Sequence, residues 1–320
     1  MVPAAFLPRA HVGRIVVSGA DRATYLQGLL TNDVVALKAG QGCYAAYLTA
    51  QGRMIADVHV YELGDVMLVT TAREVTDTVL AKFDQFIFSE DVQLGDVTET
   101  FSQLAVVGAD AARVVAAVIP DLSIERLNAL PEHGNARVQF AGSPAIVTRV
   151  TDTGEPGYDV FVARGHAESL ASAVAAAGAV PMDDDTAEAV RIEAGVPRFG
   201  RDMNEETIPL EAGIESRAIS FTKGCYVGQE VIVRVRDRGH GRVARKLVGL
   251  TLEGDRVPAS GAAIRAGDRE IGQVTSRALS PALKRPIALG YVHRDFVEPG
   301  TTVTVDGIRA VVTSLPFVNV

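Results

Sequence analysis

Apolar and polar positions in the first hundred residues switch between two periods. Residues 14–18 form a short β-branched run. The Gly19-Ala20-Asp21 turn that ends it offers an acidic cap for a helix over 22–30. Apolar runs at 43–48 and 54–61 flank the turn residues 49–53 and predict paired strands. A strand over 66–70, a helix over 74–88 and a strand over 92–97 follow. The same order then recurs: a strand at 104–107, the turn Gly108-Ala109-Asp110, a helix ending near 119, strands at 137–140, 145–150 and 158–163, and an alanine-rich helix over 166–177. Both the Gly-Ala-Asp turns and the later strands repeat at an offset of about ninety residues, which predicts a duplicated α+β unit.

Residues 184–193 have helical spacing, and 198–222 hold many turn formers and few periodic apolar positions. That segment is expected as a long ordered loop, and loops of that length in compact proteins usually carry function. From residue 242 onward, short β-branched runs alternate with Gly, Pro and Asp turns, which predicts a small antiparallel barrel. The expected fold class is therefore α+β. Two duplicated, ferredoxin-like α/β units span 1–100 and 101–241, the second including the loop segment, and a β-barrel spans 242–320.

The chain has 320 residues, is 48% hydrophobic and 22% charged, and carries a net charge of −8. Its length fits two or three domains of roughly 100–200 residues each. The acidic balance argues against a protein that coats nucleic acid. No apolar run approaches the ~20 residues that cross a bilayer. The opening apolar stretch is short and broken by Pro3 and Pro8, so a signal peptide is not expected and the chain is assigned to the cytoplasm. With only Cys43 and Cys225, and no His-x-His or His-x-x-x-His spacing, neither a structural disulfide nor a metal site is expected.

Candidate chemistry concentrates in Lys223-Gly224-Cys225-Tyr226-Val227-Gly228-Gln229-Glu230. A cysteine beside a lysine can ionise more easily, and the thiolate is the nucleophile and metal ligand. A free cysteine is also commonly a small buried hydrophobe, which is the expectation for Cys43 in its apolar run. Arg234, Arg236, Arg238, Arg242, Arg245 and Lys246 then form a basic run. The alternation Val233-Arg234-Val235-Arg236 predicts a strand with both arginines on one face, suited to an anionic ligand. The run lacks interleaved aromatics, so RNA is a weaker candidate. Gly239-His240-Gly241-Arg242-Val243-Ala244 fits a dinucleotide fingerprint, but a strand rather than a helix is expected after it.

The cysteine motif, preceded by Ile219-Ser220-Phe221, resembles the signature of the YgfZ family, which is related to the T-protein, the aminomethyltransferase of glycine cleavage. Arg191-Ile192-Glu193-Ala194-Gly195-Val196-Pro197, then Gly200, Asp202 and Pro209-Leu210-Glu211, resembles the folate-pocket segment of both groups. The resemblance implies a three-domain ring around tetrahydrofolate, with Glu193 on the pterin and Arg191 among the folate contacts. Asp57, after Gln51-Gly52-Arg53-Met54-Ile55-Ala56, matches the acid near the reactive nitrogen. The T-protein pattern has two adjacent acids there, and here Ala56 replaces the first. Arg234 and Arg236 are candidates for folate's glutamate tail. Cys225 would act as thiolate, Lys223 would stabilise it, and Gln229 and Glu230 would shape the site. The implied function is a tetrahydrofolate-binding accessory protein in iron–sulfur cluster assembly or repair, with client proteins or assembly factors as partners. One alternative is an aminomethyltransferase of the T-protein type. Another is a scaffold with a vestigial folate site.

Overall fold

The computed structural model describes residues 4–237, 239 and 241–318; Arg238 of the basic run and His240 of the fingerprint lie outside them. The chain opens with β1 (Ala5–Pro8). The first unit then runs β2 (Val12–Ser18), α1 (Arg22–Leu29), β3 (Gly42–Leu48), β4 (Met54–Glu62), β5 (Met67–Ala72), α2 (Thr76–Asp84) and β6 (Gln93–Asp96). Its antiparallel sheet has the order β3-β4-β5-β2-β6. Strand alternation sets the two faces. Ala56, Val58 and Val60 of β4 enter the core under α1 and α2 with Tyr47, Val69 and Phe83. Asp57, His59 and Tyr61 fall on the opposite face.

The second unit runs β7 (Phe101–Val107), α3 (Ala111–Val118), α4 (Ile124–Ala129), β8 (Asn135–Phe140), β9 (Ser143–Val150), β10 (Gly157–Ala163), α5 (Ala167–Ala176) and β11 (Val180–Pro181). Its sheet order is β11-β1-β7-β10-β9-β8. Without β1, this matches the first sheet strand for strand, so the duplication expected from the sequence is present in the topology. Each sheet has a ferredoxin-like order with one extra edge strand, β3 or β8. β1 inserts between β7 and β11, so the N-terminal strand crosses the partition expected near residue 100. The two Gly-Ala-Asp turns begin with glycines at φ 102° and 112°, conformations that side chains resist. Asp21 does not cap α1 with its side chain as expected; its Oδ2 accepts from the Asp91 amide at 2.9 Å.

The helix-free faces of the two sheets meet through Tyr61, Leu68 and Phe161. α6 (Asp184–Glu193), capped by Asp183, follows and lies against the barrel. The segment 198–222 contains two single-turn helices, α7 (Pro209–Ala212) and α8 (Glu215–Ala218). These pack Leu210, Ile214 and Ile219 against Tyr44, Leu48 and Met54 of the first sheet.

The strand expected over 231–236 is a helix, α9 (Gln229–Asp237). Ile232 and Val235, one turn apart, enter that same core, and tertiary packing overrides the β preference of the three valines. Residues 245–313 close a six-stranded antiparallel barrel, as expected, around Leu250, Ile264, Val274 and Val292. No helix among the described residues is long and apolar enough to cross a membrane.

Candidate functional site

Asp57 stands half-buried on the helix-free face of the first sheet. The register pairs Ala46 with Asp57 and Tyr44 with His59, so Tyr44 leans diagonally from β3 towards the carboxylate on β4. Its Oη donates to Asp57 Oδ2 at 2.8 Å, and Thr71 Oγ1 fixes the Asp57 carbonyl at 2.9 Å. Burial pushes the Asp57 carboxyl above its ordinary range, and the Tyr44 hydrogen bond opposes that rise. Burial and the neighbouring Asp57 together hold Tyr44 protonated, well above its usual value. The result is a carboxylate able to take or return a proton beside a fixed phenol.

The missing second acid has a structural explanation. Residue 56 alternates away from residue 57, and Ala56 is fully buried in the helix-side core. An acid there would enter that core, so Ala56 removes nothing from the face that carries Asp57.

Around this pair lie residues that sequence reasoning missed. The His59 ring packs 5.0 Å from Tyr44, and His133 of the second unit lies 5.0 Å beyond it. Arg217 lies 5.6 Å over the Tyr44 ring and pairs with Glu132 at 2.7 Å. Burial, then the neighbouring His133, holds His59 well below its usual pKa, and burial lowers His133 to about 4. Deeper in, Arg9 bridges Asp152 at 2.7 Å and Asp159 at 3.2 Å. His59 was legible in principle, since it follows Asp57 by two in a predicted strand. Tyr44 needed the register of β3, and His133 needed the contact between units.

The other expected site residues are placed as follows. Glu193, at the end of α6, is 8% exposed; its Oε1 accepts from Ser280 Oγ and from the Ala282 amide at 2.9 Å, both on a barrel loop. Arg191 is held by Glu188 at 2.6 Å, Asp202 at 2.7 Å and Ser276 Oγ at 2.8 Å, so its guanidinium ties α6 to the barrel. Arg234 and Arg236 do not share a strand face, because two positions on a helix point about 200° apart. Arg236 pairs with Asp237 at 2.6 Å and lies 4.3 Å over Phe221.

Cys225 is exposed and Cys43 buried; burial raises the Cys43 thiol to about 12. Lys223 does not serve Cys225 as expected. Its Nζ donates to the carbonyls of Gln27 at 2.6 Å, Leu30 and Asn32 at 3.0 Å, at and just beyond the end of α1. Burial pushes its ammonium down to about 8. Gly228 adopts φ 85°, and a Cβ there would sit 2.5 Å from the Thr49 carbonyl. This backbone approach locks the motif onto the β3–β4 turn. Gln229 and Glu230 form the first turn of α9, with Glu230 exposed.

Residues 4–223 match the model of the GCVT N-terminal domain, and 245–319 match the glycine cleavage T-protein C-terminal barrel domain. The chain belongs to the glycine cleavage T-protein family. An aminomethyltransferase of Rubrobacter xylanophilus is 34% identical over 96% of this chain and 81% of its own length. One from Streptomyces coelicolor is 33% identical over 91% of this chain and 79% of its own. The crystal structure of glycine cleavage system aminomethyltransferase T from Bartonella henselae shares the fold, with a TM-score of 0.89 at 24% identity, covering 99% of this chain and 87% of that one. These matches overturn the iron–sulfur accessory role expected from the 223–230 motif, because relatives alike over nearly the whole chain are named aminomethyltransferases. They support the alternative, a T-protein-type transferase.

Proposed function

We propose that this T-protein family member is a folate-dependent one-carbon transferase of the aminomethyltransferase type, with Asp57 at the reacting centre. In the amine-releasing step a tetrahydrofolate nitrogen bonds the donor's methylene carbon as the carbon–amine bond breaks, so the attacking nitrogen loses a proton and the departing amine gains one. A half-buried carboxylate with a raised pKa can carry that proton between them. The observation that carries this reading is the Tyr44–Asp57 pair on the helix-free sheet face, within a chain whose relatives are named for the reaction. Glu193 is the candidate for the pterin edge: a carboxylate held on one oxygen by two donors can offer the other to an aminopyrimidine. Arg234 and Arg236 remain candidates for the glutamate tail, each from its own side of α9. Arg191, already saturated by two carboxylates, supports Glu193 through α6 rather than meeting the ligand.

The test is calorimetric titration with tetrahydrofolate, joined to a turnover assay with aminomethyl donors. Wild type should bind and turn over, Glu193→Ala should lose binding, and Asp57→Asn should bind without turning over. A folded wild type that does not bind tetrahydrofolate would sink the proposal.

A further inference from the structure

Asp57 depends on one neutral side-chain donor, and what fixes that donor comes partly from the other unit. The Tyr44 ring is buried, and its orientation follows from the surfaces it packs on. One such surface is His59, two residues beyond Asp57 on the same strand face, at a centroid distance of 5.0 Å and 37° between planes. Behind His59 stands His133, 5.0 Å away at 55°. His133 precedes β8 of the second unit, and its backbone amide is tied to the Arg149 carbonyl at 3.2 Å. A line of contacts therefore runs His133, His59, Tyr44, Asp57 across the interface between units. Arg217, Glu132, Arg9 and Asp152 surround the two imidazoles. His133 Nδ1 is buried without a hydrogen-bond partner among the described residues.

We propose that His59 is a positioning residue that holds Tyr44 on Asp57, and that His133 braces it from the second unit. Only the kinetic consequence rests on the transferase reading; the positioning itself is a property of the free protein.

The experiment is a carbon-13 NMR titration of the Asp57 carboxyl in the full chain, without ligand. Tyr44 stabilises the charged carboxylate, so Tyr44→Phe should raise the Asp57 midpoint. His59→Ala should raise it in the same direction, and His59→Phe, which keeps a ring there, should restore the wild-type midpoint. In the Tyr44→Phe background, His59→Ala should add nothing, because its effect passes through the lost hydroxyl. An unchanged midpoint in His59→Ala, or a shift that persists without the Tyr44 hydroxyl, overturns the proposal. If His59→Ala does not fold, His133→Ala is read instead, with the same pattern expected and the same outcomes against it. In the transfer assay, His59→Ala should lose roughly tenfold in kcat with the KM for tetrahydrofolate unchanged, and His59→Phe should recover the rate. A wild type that fails to bind tetrahydrofolate while showing this titration pattern sinks the transferase reading alone. An active wild type with no such pattern sinks the positioning alone.

Discussion

The two sheets share a strand order, and each places an aspartate on the face turned away from its helices, yet the two carboxylates are held differently. Asp159 on β10 is 4% exposed and receives Arg9 Nε on one oxygen at 3.2 Å and Gln103 Nε2 on the other at 2.7 Å. Asp57 on β4 is half-buried and, among the described residues, has one side-chain donor, the Tyr44 hydroxyl, which carries no charge. Duplication supplied two equivalent faces, and the partners decided their uses. A carboxylate saturated by a cation and an amide is a structural tie. One held by a single phenol keeps lone pairs for a ligand and a pKa that burial can raise.

The contrast makes opposite demands on two substitutions. Asp57→Asn keeps the shape and an acceptor for Tyr44. It should change unfolding free energy by less than ~1 kcal/mol while transfer falls about 10²–10⁴-fold. A variant that retains wild-type turnover would remove Asp57 from the chemistry. Arg9→Met does the reverse damage. It leaves Asp159 buried, and the partly exposed Asp152 beside it, without their cation, which should cost about 3–5 kcal/mol in urea unfolding, most of it from Asp159. A loss below ~1 kcal/mol would show that the second unit's carboxylate is not the tie described here.

Much of this was legible before any coordinates. The ninety-residue offset gave the duplicated unit, and the turn-rich tail gave the barrel. Asp57 was found by its flanking residues, and His59 follows from strand alternation. Other features resist sequence reading for identifiable reasons. β1 is four residues long and takes its place in the second sheet through pairing partners far along the chain. The alternating Val–Arg run carries a true β signal, but burying Ile232 and Val235 on one helical face outweighs it. Lys223 and Cys225 are two apart in sequence, yet the lysine is spent on carbonyls near the end of α1. Proximity in sequence does not fix which neighbour a long side chain serves.

The imidazoles between the units give the comparison a pH dependence. The folded chain keeps His133 neutral down to about 4, while an unfolded chain protonates it near 6.5. Below pH 6.5 the unfolded state therefore binds more protons, and stability falls as pH drops towards 4. Above 6.5 this group contributes no slope. At about 1.4 kcal/mol per pH unit, that interval is worth about 3 kcal/mol. His59, also lowered, adds in the same direction. Denaturant unfolding of His133→Gln should show a shallower acid loss than wild type, the two curves closing or crossing as pH falls. Parallel curves from pH 7 to 4 would mean that the imidazole titrates alike in both states.

The smallest expected effect concerns Glu193, which stands between the two cases. Its Oε1 accepts from Ser280 Oγ and the Ala282 amide, so it is better held than Asp57, yet neither donor is charged as Arg9 is. Ser280→Ala removes one donor and leaves the amide. A single hydrogen bond to a charged acceptor is worth about 1.5–3 kcal/mol, and the remaining donor should cut the loss to about 1 kcal/mol. If Glu193 serves the pterin, the freed carboxylate should also aim less well, and tetrahydrofolate affinity should fall by several-fold. The two readouts separate the roles. Lost stability with unchanged affinity would place Glu193 with Asp159, as a tie between α6 and the barrel. Lost affinity with nearly unchanged stability would place it with Asp57, as a carboxylate kept for its ligand.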